Sequence, residues 1–196
     1  MSILPIYLYG TEVLRKKAKA IPRLDHSIIK LMYDLAETMH KANGIGLAAT
    51  QVGELRRMLV VDLAAIERGV TEEDEGKEPP PGTEAKVLVM INPEIVEAEG
   101  SASMEEGCLS IPDLRAEVDR PEKISVQYRD ANFDQVKLTA EGILARVIQH
   151  EADHLDGIMF VDRVGKTRRV LLKSDLKKIE KGEVDTSYPS ISSVEV

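Results

Sequence analysis

Two histidines and a glutamate in the C-terminal half of the chain have the types and spacing of a metal-hydrolase motif. They lie in the run His150-Glu151-Ala152-Asp153-His154. Histidines four residues apart lie on one face of a helix, so both imidazoles can reach the same cation. Glu151 follows the first histidine and could accept a proton from a water molecule at that cation. The alternative for this motif alone is a surface helix that carries these residues without a function.

A metal held by two histidines needs a further protein ligand. In the common zinc peptidases it lies downstream, either as a glutamate or as the last histidine of His-Glu-x-x-His-x-x-Gly-x-x-His. Here Phe160 occupies that last position, and no histidine follows His154. Cys108, the single cysteine, becomes the natural candidate, because one thiolate and two neutral imidazoles suit zinc, iron, cobalt or nickel. The alternative for a lone cysteine is a small buried hydrophobic residue.

Length and composition favour one ordinary globular domain. The 196 residues suffice for a well-packed core, and 43% of them are hydrophobic. The net charge of −8 argues against a protein that mainly binds nucleic-acid phosphates, and the aromatic content of 4% argues against a stacking platform for bases. We therefore predict no direct DNA binding.

The sequence also suggests the compartment. It begins Met1-Ser2-Ile3-Leu4-Pro5-Ile6, without a basic segment or a long apolar run. No later run approaches the roughly 18 apolar residues of a membrane span. A single cysteine excludes an internal disulfide and fits a reducing environment. We expect a cytoplasmic protein that does not associate with membranes.

Hydrophobic periodicity predicts the elements that position the motif. An amphipathic helix is predicted from Asp25 to Asn43, and the helix that carries the histidines from about Thr139 to Gly157, where a left-handed cap fits. Strand-like runs occur at 57–63, 86–91, 115–119, 123–128 and 133–138.

Three further segments lie outside these elements. Residues 67–84 are acidic and rich in proline, so we expect an exposed, mobile excursion. A strongly basic helix is predicted from Gly165 to about Lys181, and the polar tail from Gly182 should be loose. The elements together predict an α+β fold: mixed or antiparallel sheets packed around a central metal-binding helix, with a C-terminal helix.

Three segments resemble, in the same order, the signature motifs of the peptide deformylase family. They are Gly44-Ile45-Gly46-Leu47-Ala48-Ala49-Thr50-Gln51, Glu106-Gly107-Cys108-Leu109-Ser110 and Gln149-His150-Glu151-Ala152-Asp153-His154-Leu155-Asp156-Gly157. The resemblance covers roughly residues 1–165 and implies a catalytic domain there, with residues 166–196 as a basic helix and loose tail of the same domain. The implied reaction removes the N-formyl group from formyl-methionine on nascent polypeptides and releases formate.

The resemblance also implies a role for each matched residue. Cys108, His150 and His154 would hold the metal, typically Fe²⁺, for which Zn²⁺, Ni²⁺ or Co²⁺ can substitute. Glu151 would act as base and then as acid. Gln51 and the backbone N–H of Leu109 would stabilise the oxyanion. The residues expected along the substrate groove, mainly through backbone or packing contacts, are Gly44, Ile45, Gly46, Glu106, Gly107, Arg115 and Val147.

Several assignments have a second interpretation. Arg115 fits a groove arginine or a surface salt bridge. Arg146 could line the pocket with its stem while its head stays in water, or it could turn away. The basic C-terminal helix could bind the ribosome or be a solvated helix face.

Two other functions compete with deformylation. A zinc endopeptidase is disfavoured because no downstream third ligand has the required spacing. A catalytically silent, ribosome-associated relative is disfavoured because a structural metal site needs neither Glu151 nor Gln51.

Overall fold

A computed structural model describes residues 2–69 and 86–195 of the chain. Its helices are α1 (His26–Lys41), α2 (Leu63–Arg68), α3 (Gly142–Leu155), α4 (Phe160–Arg163) and α5 (Lys166–Glu180). Its strands are β1 (Ile6–Tyr7), β2 (Gly46–Ala48), β3 (Met58–Asp62), β4 (Val87–Glu99), β5 (Ala102–Cys108), β6 (Ile111–Arg120), β7 (Lys123–Arg129), β8 (Gln135–Glu141) and β9 (Ser190–Ile191). The predicted acidic excursion at 67–84 lies outside the described residues from residue 70 onward.

The strands form one main sheet and two smaller ones. The main sheet is antiparallel with the order β2-β3-β4-β7-β8, and β5 and β6 form a separate antiparallel hairpin. The short strands β1 and β9 pair in parallel. The predicted α+β class, with mixed or antiparallel sheets and a C-terminal helix, is confirmed.

Helix α3 is buried between the main sheet and the β5–β6 hairpin. Ala145, Ile148 and Leu155 pack into the apolar cluster formed by β3, β4 and β7, and both histidines of the motif are also buried. A helix buried nearly all round belongs to the core. The helix is followed by the predicted left-handed cap at Gly157, which has φ +76°. An added Cβ there would lie 2.6 Å from the carbonyl oxygen of Arg15, so this position requires glycine.

Strand β5 is the main element that the sequence patterns did not predict. Its sequence, ASMEEGC, holds few β-branched or aromatic residues, which are the usual local signs of a strand. It forms because each residue from Ala102 to Glu106 pairs with a residue of β6. Cross-strand pairing, rather than local propensity, therefore decides the element that carries Cys108.

The C-terminal tail is held in place by hydrogen bonds, contrary to the expectation of a loose tail. The carbonyl oxygens of Pro189 and Ile191 accept hydrogen bonds from the N–H groups of Ile6 and Leu8, at 2.9 and 2.8 Å. Ser192 is buried, and its N–H donates to the Glu195 carboxylate at 2.7 Å. The expectation was wrong because a polar tail can be held by its backbone, which leaves no hydrophobic pattern in the sequence.

Among the described residues, no helix has the length and apolar character needed to cross a membrane.

Candidate metal centre

The structure brings the three predicted ligands to one point. Cys108 lies at the end of β5, and His150 and His154 lie one turn apart on α3. Their ligand atoms all lie within 4.8 Å of one another. The Cys108 Sγ is 3.2 Å from His154 Nε2, which is 3.1 Å from His150 Nε2. Residues far apart in the chain thus meet between the hairpin and the central helix.

These three side chains fit one transition-metal ion. With usual bond lengths to sulfur and nitrogen, the ligand atoms of a tetrahedral ion lie about 3.3 to 3.6 Å apart, and the two separations that involve His154 Nε2 are close to those values. His150 Nδ1 lies 2.9 Å from the Glu106 carboxylate. If it donates there, the lone pair of Nε2 faces His154 and Cys108. A cation between these atoms would neutralise a thiolate and join two otherwise opposed nitrogens.

Glu106 orients His150 through a buried carboxylate. Its oxygens accept bonds from Arg120 Nε and Nη2 at 2.6 and 2.9 Å and from Arg146 Nη1 at 2.9 Å. Burial raises the pKa of Glu106, but the hydrogen bonds from Arg120 and His150 outweigh burial and hold it well below its usual value. A carboxylate behind a ligating histidine fixes both the tautomer and the ring orientation.

Two arginines of this cluster correct or extend the sequence analysis. Arg146 turns away from the pocket, and its guanidinium is buried rather than in water: it donates to the carbonyl oxygens of Val118 at 2.8 Å and Ala102 at 2.6 Å. Arg120 was not predicted as a site residue. The alternation of side chains along β6 indicates that Arg120 is buried. Ala116 and Val118 face inward, so position 120 must face inward as well.

Asp153 closes the cluster on the far side of Arg120. It accepts a hydrogen bond of 2.7 Å from Arg120 Nη1 and forms a close ion pair with Arg163. Burial opposes the charge of Arg120, but the bonds and charges of Glu106 and Asp153 raise its pKa. Two buried carboxylates therefore balance the guanidinium between them, and α3 is tied to both β5 and β6.

Glu151 is buried beside the predicted ligands and faces Gly46, the first residue of β2. Burial raises its pKa to about 7, and its Oε2 has no hydrogen-bond partner among the described residues. A Cβ added at Gly46 would lie 2.7 Å from Glu151 Oε1 and 2.8 Å from Val147 Cγ1. Only a glycine at position 46 leaves room for this carboxylate.

Gln51 is held so that its amide group points at the site. Its Oε1 accepts the N–H of Ala48 at 2.8 Å, so its Nε2 is directed toward Cys108 Sγ at 3.6 Å and Ser110 Oγ at 3.3 Å. Gln51 itself is fully buried. The side chain therefore presents a donor next to the sulfur.

The other predicted residues surround this point. Leu109 lies in the turn between β5 and β6, and an added Cβ at Gly44 would meet its Cδ1 at 2.7 Å. The carbonyl oxygen of Ile45 accepts the N–H of Asp62 at 2.8 Å, so that oxygen already has a partner. An added Cβ at Gly107 would lie 3.5 Å from Arg115 Cζ, so that guanidinium lies alongside the β5 end of the site.

Comparison with known proteins identifies the family that has this site. The family model of polypeptide deformylase matches residues 3–170. The chain belongs to the polypeptide deformylase family. The family named from the three motifs is thereby confirmed, and with it the activity: the enzyme removes the N-formyl group from nascent polypeptides, in a metal-dependent reaction.

Individual relatives agree over nearly the full length. The chain is 46% identical to a peptide deformylase of Salinibacter ruber over 191 residues, which are 97% of this chain and 95% of the relative. It is 45% identical to a peptide deformylase of Chlorobium phaeobacteroides over 187 residues, 95% of this chain and 94% of the relative. A crystal structure of a deformylase from Legionella pneumophila, 35% identical, matches with a TM-score of 0.78 over 93% of this chain and 98% of that one. The endopeptidase alternative is not favoured.

Replacing Glu106 by Gln should weaken metal binding by this deformylase. An amide cannot accept hydrogen bonds from two arginines and His150 at both of its terminal atoms, so the imidazole loses its fixed orientation. We expect a loss of about 10- to 100-fold in affinity for Zn²⁺ or Co²⁺, measured by competition with a chromogenic chelator.

Glu117→Gln is the matched control for this experiment. It makes the same chemical change at an exposed position of β6 and should leave the affinity unchanged. Circular dichroism would verify that each variant is folded. Equal metal affinity in folded Glu106→Gln and wild-type enzyme would contradict the orienting role.

Proposed function

We propose that Cys108, His150 and His154 hold one metal ion and that Glu151 and Gln51 act beside it to hydrolyse the N-formyl group of formyl-methionine. Bound there, the ion would supply Lewis acidity and make a water molecule acidic enough to lose a proton near neutral pH. The observation that carries the proposal is the meeting of the three ligand atoms within 4.8 Å, next to a buried carboxylate.

Glu151 is proposed as the group that moves the proton. It takes a proton from the attacking water and delivers it to the amide nitrogen as the bond between the formyl carbon and that nitrogen breaks. The products are formate and a free amino terminus. The support is its position one residue after His150, its burial, and its Oε2, which has no hydrogen-bond partner among the described residues. A carboxylate shielded from bulk water can exchange its proton with the reacting atoms.

Gln51 and Leu109 are proposed as the oxyanion donors. The Gln51 side chain is anchored by its oxygen on Ala48, and its NH₂ group lies 3.6 Å from Cys108 Sγ and 3.3 Å from Ser110 Oγ. We propose that this NH₂ group donates to the formyl oxygen as negative charge develops there. The Leu109 N–H follows the ligand Cys108 directly in the chain. Donors that are held in place before the reaction stabilise the transition state without a cost of reorganisation.

The substrate backbone is proposed to lie along the loop before β2 and the end of β5. Gly44, Ile45 and Gly46 would line one side through backbone or packing contacts, and Gly107 and Arg115 the other. Glu106 can contribute only its backbone, because its carboxylate is occupied by Arg120, Arg146 and His150. Backbone pairing suits an enzyme that must accept many different sequences.

The methionine side chain is proposed to contact α3. Val147 lies against Gly46, next to the base. Ile143 lies one turn earlier and is exposed, as an apolar residue at a binding groove would be.

Replacing Glu151 by Gln should abolish turnover while metal remains bound. The amide fills the same space but cannot accept the proton, so we expect kcat to fall by about 10²- to 10⁴-fold. The assay is formate release from a formyl-methionyl tripeptide by anaerobically purified, iron-loaded protein, with metal content measured in parallel. Glu141→Gln, at an exposed carboxylate that precedes the same helix, should keep wild-type turnover. Rapid formate release by Glu151→Gln would refute its role as base.

We propose Fe²⁺ as the native ion. A thiolate with two imidazoles accommodates iron as well as zinc, nickel or cobalt. Cys108 is only half-buried, so oxygen can reach the ion and its ligand.

The iron-loaded enzyme should therefore lose activity in air faster than the nickel-loaded enzyme. Oxygen oxidises the ferrous ion first and the thiolate afterwards. The measurement is residual formate release against time of aerobic incubation at equal metal occupancy, with an anaerobic sample of each form as control. Equal aerobic lifetimes of the two forms would contradict this assignment.

We propose that helix α5 binds the ribosome, where nascent chains emerge in the cytoplasm. Leu172, Leu176 and Ile179 are buried against the core, while Val170 and Leu171 are exposed. The outward-facing cations of this helix give a basic surface to an otherwise acidic protein. The cations of the helix are Lys166, Arg168, Arg169, Lys173, Lys177 and Lys178.

Reversing two charges on α5 should weaken ribosome binding without changing the reaction. Lys166→Glu with Lys173→Glu should lower co-sedimentation with bacterial ribosomes by at least about 10-fold at low salt, because contacts to RNA phosphates are lost. Turnover of a tripeptide should be unaffected. Lys16→Glu with Lys41→Glu makes the same charge change at exposed positions elsewhere. Equal sedimentation of both double variants and wild type would favour a solvated helix face.

A further inference from the structure

The chain beyond α5 returns to the turn that carries Cys108 and Leu109. The Tyr188 hydroxyl donates a hydrogen bond of 2.7 Å to the carbonyl oxygen of Leu109, 79 residues away in sequence. Tyr188 lies outside residues 3–170, the segment that the family model matches. We name residues 184–192 the C-terminal strap.

The strap is itself anchored on both sides of Tyr188. Before it, the hydroxyl of Thr186 donates to the Tyr188 carbonyl oxygen at 2.8 Å and lies 3.0 Å from Ser190 Oγ. After it, the carbonyl oxygen of Pro189 accepts the N–H of Ile6, and β9 pairs with β1. The Tyr188 ring packs against the apolar cluster around α1. The phenol oxygen is therefore held at a defined place rather than on a free tail.

Leu109 is held from three directions. Its side chain packs over Gly44, where an added Cβ would lie 2.7 Å from Leu109 Cδ1. The next residue, Ser110, accepts the N–H of Tyr9 on its carbonyl oxygen at 2.8 Å. Tyr188 holds the carbonyl oxygen of Leu109 itself. Of these restraints, the hydroxyl of Tyr188 is the one that acts directly on the backbone of Leu109.

We propose that Tyr188 is a positioning residue for deformylation, which orients Leu109 so that its N–H points at the developing oxyanion. This inference rests on the proposed role of Leu109 as an oxyanion donor. With the Leu109 carbonyl fixed on one side and Cys108 on the other, the backbone between them cannot rotate away from the reacting atom. A donor aligned in advance acts mainly in the transition state, so its loss lowers kcat more than it raises KM.

Tyr188→Phe tests the proposal because it removes one oxygen and keeps the packed ring. We expect kcat for a formyl-methionyl tripeptide to fall about 3- to 10-fold, with KM within about twofold and with unchanged metal content. Tyr33→Phe removes the same atom from a tyrosine on α1 that is 55% exposed, and should behave as wild type.

Inhibitor binding separates positioning from a general structural role. A peptide hydroxamate places a carbonyl oxygen where the oxyanion forms, whereas the same peptide with a thiol binds the metal without such an oxygen. We expect Tyr188→Phe to weaken hydroxamate binding by about the same factor as kcat and to leave thiol binding unchanged. Equal weakening of both inhibitors, or a fall in metal content that explains the activity, would overturn the proposal in favour of a structural role.

Gln51→Ala, measured in parallel, distinguishes failure of this inference from failure of the proposed function. If Gln51→Ala loses kcat by about 100-fold or more while Tyr188→Phe equals wild type, the positioning role is overturned and the oxyanion site stands. If both variants equal wild type, the oxyanion assignment fails, and the role of Tyr188 fails with it.

Discussion

The burial of one carboxylate, Glu106, is the constraint on which the rest of the site depends. It lies on β5, and its partners lie on β6 and α3. These contacts therefore fix how α3 packs against the β5–β6 hairpin. An unpaired charge at this depth would cost several kcal/mol, which makes Arg120, Arg146 and the imidazole of His150 necessary companions. The same contacts bring the sulfur at the end of β5 against the histidines. The contacts that compensate the charge of Glu106 therefore also bring the three predicted ligands together.

Close approach of backbone to side chain is the second condition of the chemistry. Gly46 leaves room for Glu151, and Gly44 leaves room for Leu109, so the proposed base and the proposed oxyanion donor each face a residue without a side chain. A larger residue at position 46 would displace the Glu151 carboxylate, whereas one at position 44 would shift the Leu109 side chain. Residues 44–46 thus contribute to the site because Gly44 and Gly46 have no side chains. This segment is held by β2, which pairs with β3 at the edge of the main sheet.

The termini of the described chain contribute more to the site than their polar composition suggests. Strands β1 and β9 are two residues long each, yet residues next to them, Tyr9 and Tyr188, donate hydrogen bonds to the turn that follows Cys108. The basic helix α5 connects this strap to the catalytic core and packs its inner face against the β6 side of the hairpin. The C-terminal segment would therefore combine the proposed ribosome-binding surface on α5 with the proposed restraint of Tyr188 on Leu109.

The sequence by itself determined the main elements and the candidate site residues: helices α1, α3 and α5, most strands, the proposed ligands, the proposed base and Gln51. These features depend on residue type and local period, so short segments and motifs carry them. It did not determine β5, Arg120, the direction of Arg146, or the ordered tail. Each of these depends on pairing between distant segments: β5 on its partner strand, the arginines on a buried carboxylate, and the tail on the backbone of β1. Local patterns indicate whether a residue lies on the buried or the exposed face of its element, whereas only the tertiary structure decides which distant segment that face contacts.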